Sequence, residues 1–440
     1  MTEAALCLLY AIIFIALIRL LPFFRISGLN KWALPLVFVL KILCGVAMYV
    51  VYTKVYTDRS TADIFKYFDD SKIMYDALFS APGDFLRMIT GFGNDSPHFD
   101  MYYNQMNYWY RVYESNIYND SHTIIRFNAL LRFFSFGYYN VHTVFMCFIS
   151  LGGMVGIYRF FLKVMPEAKN MLFFAAFLIP SLLFWGSGVL KEGLLLFGMG
   201  MFLWHTELLL SKRKVLWSVC FVLLSFFLLL YTKFYILITI LPLVIAYTWC
   251  RLGSPRYAFL KFIIVIAVAL AAGLNFHYIF PSYDFVAILV QKQHDFLNLA
   301  RSVNSGSLIG MQALDYSVWS LVTHAPQALY HALFRPWFFE SDSFLMLFSG
   351  LENLMFVMMF MTTVFYFKKP VSGLPHLWLA LFFSLGILVL TGLTTPVMGA
   401  IVRYKVPALP FLLMVMIMVI DRERLLRNLR DFRKKIFSKA

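Results

Sequence analysis

The chain has 440 residues, 61% of them hydrophobic and only 14% charged. Soluble globular proteins run at roughly 45–50% apolar and about 25% charged, so an ordinary water-soluble fold is excluded. The net charge of +15 lies largely in short loops and in a tail from Arg422 to Lys439. There lysine and arginine set membrane orientation and favour anionic headgroups, so the expected partner is a lipid bilayer and not nucleic acid.

Apolar runs predict an all-α, polytopic transmembrane helical bundle of about eleven spans. Their approximate limits are 4–23, 33–53, 142–162, 170–188, 193–210, 215–231, 234–250, 258–280, 343–367, 375–394 and 405–420. The first run follows no basic segment and precedes no cleavage-like site, so it reads as a span and not as a secretory leader. With the N-terminus outside, every short basic loop falls on one side. These loops carry Arg25 and Lys31, Lys163 and Lys169, Lys212 to Lys214, Arg251 and Arg256, and Lys368 and Lys369. That is the cytoplasmic side of the positive-inside rule, and the C-terminus falls there too. The expected organisation is a single membrane domain over 1–421, outer insertions at 54–141 and 281–342, and a basic cytoplasmic tail at 422–440. Within the insertions, helical spacing of apolar residues over 122–136 and 284–300 predicts amphipathic helices at the membrane interface. His122, Arg126 and Arg132 are expected on the polar face of the first.

Four segments carry chemistry. Thr61–Ser71 places Asp63, Tyr67 and Asp70 on one helix face, with Asp69 pointing elsewhere. Two carboxylates there suit deprotonation of a sugar hydroxyl or a divalent cation such as magnesium or manganese. A solvated helix face explains them equally well. Phe184–Gly193 brings Lys191 and Glu192 to the membrane boundary, where a charge is costly and turns to a partner or a watery cavity. Lys191 suits a phosphate, the neighbouring glycines allow close backbone approach, and a snorkelling lysine is the competing explanation. Phe334–Glu340, followed by Asp342 and Glu352, carries Arg335, whose planar guanidinium suits a phosphate or anchors the interface. Arg403 and Lys405 open the last span with the same two readings. The five cysteines (Cys7, Cys44, Cys147, Cys220 and Cys250) lie in apolar runs and read as small core residues, not as disulfide or zinc partners. The histidines lack ligand spacing. No GxxxxGK[ST], HExxH or GxSxG motif occurs, so nucleotide-driven transport, zinc proteolysis and nucleophile-elbow esterase chemistry lack support.

On the acidic segment Asp63, Asp69 and Asp70, the stretch Trp185–Glu192, Arg335-Pro-Trp with Glu340, and Arg403-Tyr-Lys-Val-Pro, the chain resembles the GT-C superfamily of polytopic glycosyltransferases. It also resembles related bacterial exopolysaccharide and O-antigen-type polymerases. The resemblance implies a GT-C-like fold in the bacterial inner membrane with its active site facing the periplasm. It implies a polyprenyl-phosphate-linked sugar as donor and a glycan or protein as acceptor. The base would be Asp63 or Asp70, and Lys191, Arg335 and Arg403 would bind lipid phosphate, with Glu192 and Lys405 beside them. A polysaccharide polymerase and a lipid-linked sugar flippase or transporter are the rival functions.

Overall fold

The structure is a computed structural model that describes residues 2–59, 61–110, 118–302, 305–340, 343–370 and 372–437. The described residues are helical, with two isolated β-bridges and no strand. In chain order the helices are α1 (Glu3–Leu20), α2 (Ala33–Lys54), α3 (Asp63–Ser80), α4 (Pro82–Thr90), α5 (Asp100–Tyr103), α6 (Ser121–Ser135) and α7 (Tyr139–Leu162). Then come α8 (Lys169–Phe177), α9 (Pro180–Trp185), α10 (Lys191–Leu210), α11 (Val215–Thr232), α12 (Phe234–Leu252), α13 (Ala258–Asn275) and α14 (Phe285–Ser302). The last are α15 (Val318–Phe334), α16 (Phe344–Phe365), α17 (Leu374–Thr394), α18 (Met398–Tyr404), α19 (Leu409–Val419) and α20 (Arg422–Phe437). Asp342 lies outside the described residues.

Nine of these helices are long and apolar enough to cross a membrane, as a multi-pass membrane protein requires. Two of the eleven expected spans are not single helices. The run 170–188 breaks between α8 and α9 at Leu178–Ile179, because Pro180 cannot donate to the preceding turn and disfavours helix in the residue before it. The run 405–420 is the second arm of a pair, α18 and α19, bent by 63° around Lys405–Ala408, where Pro407 interrupts the ladder. Counting that pair as one span gives ten.

Two compact units divide the chain: Met1–Phe160 with Pro180–Ile238, and Phe161–Ile179 with Thr239–Ala440. In the first, α7 and α10 approach through glycines. A Cβ on Gly153 would meet the Leu196 carbonyl, and one on Gly200 would meet the backbone of Gly153. Small residues let helix backbones pack this closely where lipid offers no hydrophobic drive. Gly200→Val is therefore expected to destabilise by about 1–3 kcal/mol through overpacking. The measure is apparent unfolding temperature in detergent, against Gly83→Ala, a helical position with nothing within 4 Å of an added Cβ.

Between α2 and α7 the described residues form α3 to α6 around an aromatic core. Trp109 is stacked between Tyr103, at a ring separation of 4.1 Å, and His122, at 3.8 Å. The expected helix over 122–136 forms as α6, but its polar face turns inward. Arg126 donates to the Met88 carbonyl (2.7 Å) and lies over Trp109. Arg132, 4% exposed, donates to Ser71 and to the Phe68 carbonyl while covering the Phe68 ring. These long cations donate to carbonyls of α3 and α4 and lie over aromatic rings, so α6 is held on that side by protein. Burial pulls the Arg132 guanidinium down to about 10.

In the second unit, α14 starts where expected, with the Asp284 carboxylate accepting the Val286 and Ala287 N–H groups. α15 packs on α17, with Gly392 against the Ala328 backbone. The stretch 307–309 pairs with Pro396–Met398 through Ile309 N–H to the Pro396 carbonyl and Met398 N–H to the Ser307 carbonyl. A sequence reading that saw 281–342 only as an outer insertion missed α15, because its seventeen residues contain Pro326 and two histidines.

Candidate functional site

Asp63 is the first residue of α3, where unpaired backbone N–H groups favour an anion. Asp63 and Asp70 share a face and meet at one residue. The Tyr108 hydroxyl donates to Asp63 Oδ1 (2.5 Å), and the Tyr108 backbone N–H donates to Asp70 Oδ2 (2.8 Å). Asp70 also accepts the Asn107 backbone N–H (2.7 Å) and side-chain amide (2.8 Å) on Oδ1. It is fully buried. Burial pushes its carboxyl above the usual range, and the Asn107 and Tyr108 hydrogen bonds only partly offset this. Asp69 points away and forms a bidentate surface pair with Arg59 at 2.6 and 2.9 Å. Of the three acidic residues, Asp63 is the half-buried one whose carboxylate faces a tyrosine hydroxyl.

The lysines of the same unit gather beside it. Tyr108 packs on Tyr67 with ring centroids 5.4 Å apart, and Lys66 Nζ sits 4.3 Å from the Tyr108 ring centre. Lys191, first residue of α10, points over the Tyr67 ring at 5.3 Å. Its ammonium pairs with Asp120 Oδ1 at 2.8 Å, and Lys233, in the turn between α11 and α12, reaches Asp120 Oδ2 at 3.5 Å. Asp120 immediately precedes α6, and its neighbours are anchored. Asn119 donates to the Tyr108 and Trp109 carbonyls, and Thr123 donates to the Tyr231 carbonyl. Glu192 is buried in the first turn of α10. The result is an aspartate–tyrosine–lysine cluster in which Lys191 and Lys233 are set against Asp120, while Asp63 and Lys66 both meet Tyr108.

The glycines of Trp185–Glu192 serve packing. A Cβ on Gly188 would strike Met48, and Gly186 presents its carbonyl to Lys41 (3.0 Å) and Ser150 (2.7 Å). Lys41 is fully buried in α2, so a lysine inside an apolar run is here satisfied by the chain that leads into Lys191.

Arg335, Arg403 and Lys405 belong to the second unit. Arg335 is clamped by Glu340, at 3.0 and 3.2 Å, in a six-residue turn that Glu340 also closes through the Trp337 N–H. Burial alone would raise the Glu340 carboxyl, but those hydrogen bonds hold it below its ordinary value. Lys405, at the bend between α18 and α19, is buried and donates to Asn353 Oδ1 (2.7 Å) and the Ala332 carbonyl (3.0 Å). Arg403 is half-buried in the last turn of α18.

Sequence reasoning missed Asp120, Tyr108 and Lys41. Asp120 carried a signal: Asn-Asp-Ser before an apolar helical repeat marks a helix start. Lys41 did too, as an isolated charge within a span. Asp70 Oδ1 accepts two N–H groups and Oδ2 one. Among the described residues no group of three or more metal-ligating side chains forms. The chain matches no protein-family model, and no curated protein or solved structure matches it significantly.

Proposed function

We propose that this protein is a membrane glycosyltransferase that moves a sugar from a polyprenyl-(pyro)phosphate carrier to an acceptor hydroxyl at the periplasmic face. The carrying observation is the cluster in the first unit, where a half-buried carboxylate and two lysines that share one aspartate gather on helix ends. Asp63 takes the proton from the acceptor hydroxyl as that oxygen attacks the anomeric carbon. The bond from that carbon to the carrier phosphate breaks, and Lys191 and Lys233 receive the charge that develops on the leaving group. Asp120 aims both ammonium groups, Tyr108 orients Asp63, and Asp70 acts only by fixing the 107–108 backbone. This reading gives the phosphate role to Lys191 and Lys233, which belong to the same unit as Asp63.

Deletion of the gene, followed by mass analysis of surface glycans and lipid-linked intermediates, tests the reading. Transfer to a glycan predicts a shortened glycan, polymerisation predicts unpolymerised repeat units, and transfer to protein predicts an unglycosylated protein. An unchanged glycan and lipid-linked pool removes the proposal. The breaks at Pro180 and at Lys405–Ala408 favour a second reading, a carrier for the same lipid-linked anion, since discontinuous helices build transport sites. Purified protein that flips labelled lipid-linked sugar without transferring it selects that reading.

A further inference from the structure

We propose that a cavity at the α1–α2 turn binds the headgroup phosphate of an anionic phospholipid. The cavity encloses about 320 Å³, the scale of a small-ligand site, roughly 300–1,000 Å³. Arg19, Arg25 and Lys31 line it together with the Asn30 amide, and none of its ten lining residues is acidic. Among the described residues no carboxylate pairs with any of these three cations. A concave site with three cations and no counter-charge selects an anion, and planar guanidinium groups suit the oxygens of a phosphate.

The turn is built to hold those cations in place. Arg159 of α7 donates to the carbonyls of Pro22, Phe23 and Arg25 at 3.1, 2.8 and 2.7 Å. Arg25 Nε donates to the Arg19 carbonyl (3.2 Å), and the Arg19 guanidinium lies 4.4 Å over the Trp32 ring. These contacts fix the backbone, while Arg25 and Lys31 stay exposed on the cavity lining. The cavity floor is apolar: Ile18, Phe24 and Leu34 are buried. Its flanks are apolar and exposed, with Leu20 64%, Trp32 45% and Leu36 66% accessible. A phosphate carrying acyl chains satisfies both the cations and the apolar flank, which a free phosphate leaves bare. Tryptophan beside such a site is the usual marker of headgroup depth. On the orientation drawn from the basic loops, the lipid belongs to the inner leaflet. The inference is independent of the glycosyl-transfer cluster.

Full-length protein in detergent is delipidated and titrated with phosphatidylglycerol or phosphatidylcholine, and lipid adducts are counted by native mass spectrometry. Wild type is expected to retain phosphatidylglycerol in preference to phosphatidylcholine. Arg25→Gln with Lys31→Gln is expected to weaken retention by about thirtyfold, the effect of removing two cations near a lipid surface. Arg25→Lys with Lys31→Arg keeps the charge and should restore retention, which separates charge recognition from loss of structure. Equal retention by wild type and the neutral variant overturns the proposal. So does displacement of the lipid by inorganic phosphate alone, which would assign the cavity to a soluble anion.

Discussion

Asp63→Asn is expected to lower sugar transfer by about 10²–10⁴-fold, the range spanned by loss of a positioned general base. Folding and donor binding should persist. Asparagine keeps the size of aspartate and an oxygen for the Tyr108 hydroxyl, now 2.5 Å from Asp63 Oδ1. It also suits the start of α3, where short polar side chains satisfy open N–H groups. The lysines to which we assign the carrier phosphate are untouched, because Asp120 pairs with Lys191 and Lys233. The loss should therefore appear in kcat, with KM for the lipid-linked donor nearly constant. Asp69→Asn is the internal control. It removes only an exposed pair with Arg59, worth about 0–1 kcal/mol, and should leave transfer unchanged. Full transfer by a folded Asp63→Asn protein removes Asp63 from the chemistry.

Uninterrupted apolar runs were legible in the sequence because membrane spanning is a local property: enough consecutive apolar residues suffice. The breaks were less legible. Hydropathy averages over Pro180 and Pro407, whereas the backbone cannot. Helical periodicity placed Asp63 and Asp70 on one face, and both do reach Tyr108. It could not tell which carboxylate stays accessible, because the answer lies in the 107–108 backbone, far along the chain. The same holds for α6. Its basic residues read as the polar face of an interfacial helix by composition alone, while the Phe68 and Met88 carbonyls that Arg132 and Arg126 meet are brought there by tertiary packing. Lys191 was visible as a charge at a membrane boundary, but its partner Asp120 comes from a different loop. Pairings of this kind leave no periodic trace.

Asp70→Ala is expected to destabilise the protein by about 3–5 kcal/mol, since three N–H groups lose a charged acceptor in a dry environment. For a unit of this size that corresponds to a fall of roughly 10 °C in apparent unfolding temperature, at about 2–4 °C per kcal/mol. Asp70→Asn should lose less, because its carbonyl still accepts two of the donors while its amide opposes the third. The two asparagine substitutions then separate the roles of the carboxylates on this face. If Asp70 only positions the chain, transfer by Asp70→Asn falls in proportion to the folded fraction and kcat per folded molecule stays within a few-fold of wild type. Tyr108 remains tethered in part, so Asp63 keeps its hydroxyl partner. A stable Asp70→Asn protein with no activity, beside an active Asp63→Asn protein, would transfer the base assignment from the first carboxylate to the second. That outcome would require Asp70 to leave the Asn107 and Tyr108 amides during turnover, and thus the 107–108 backbone to move as the acceptor enters.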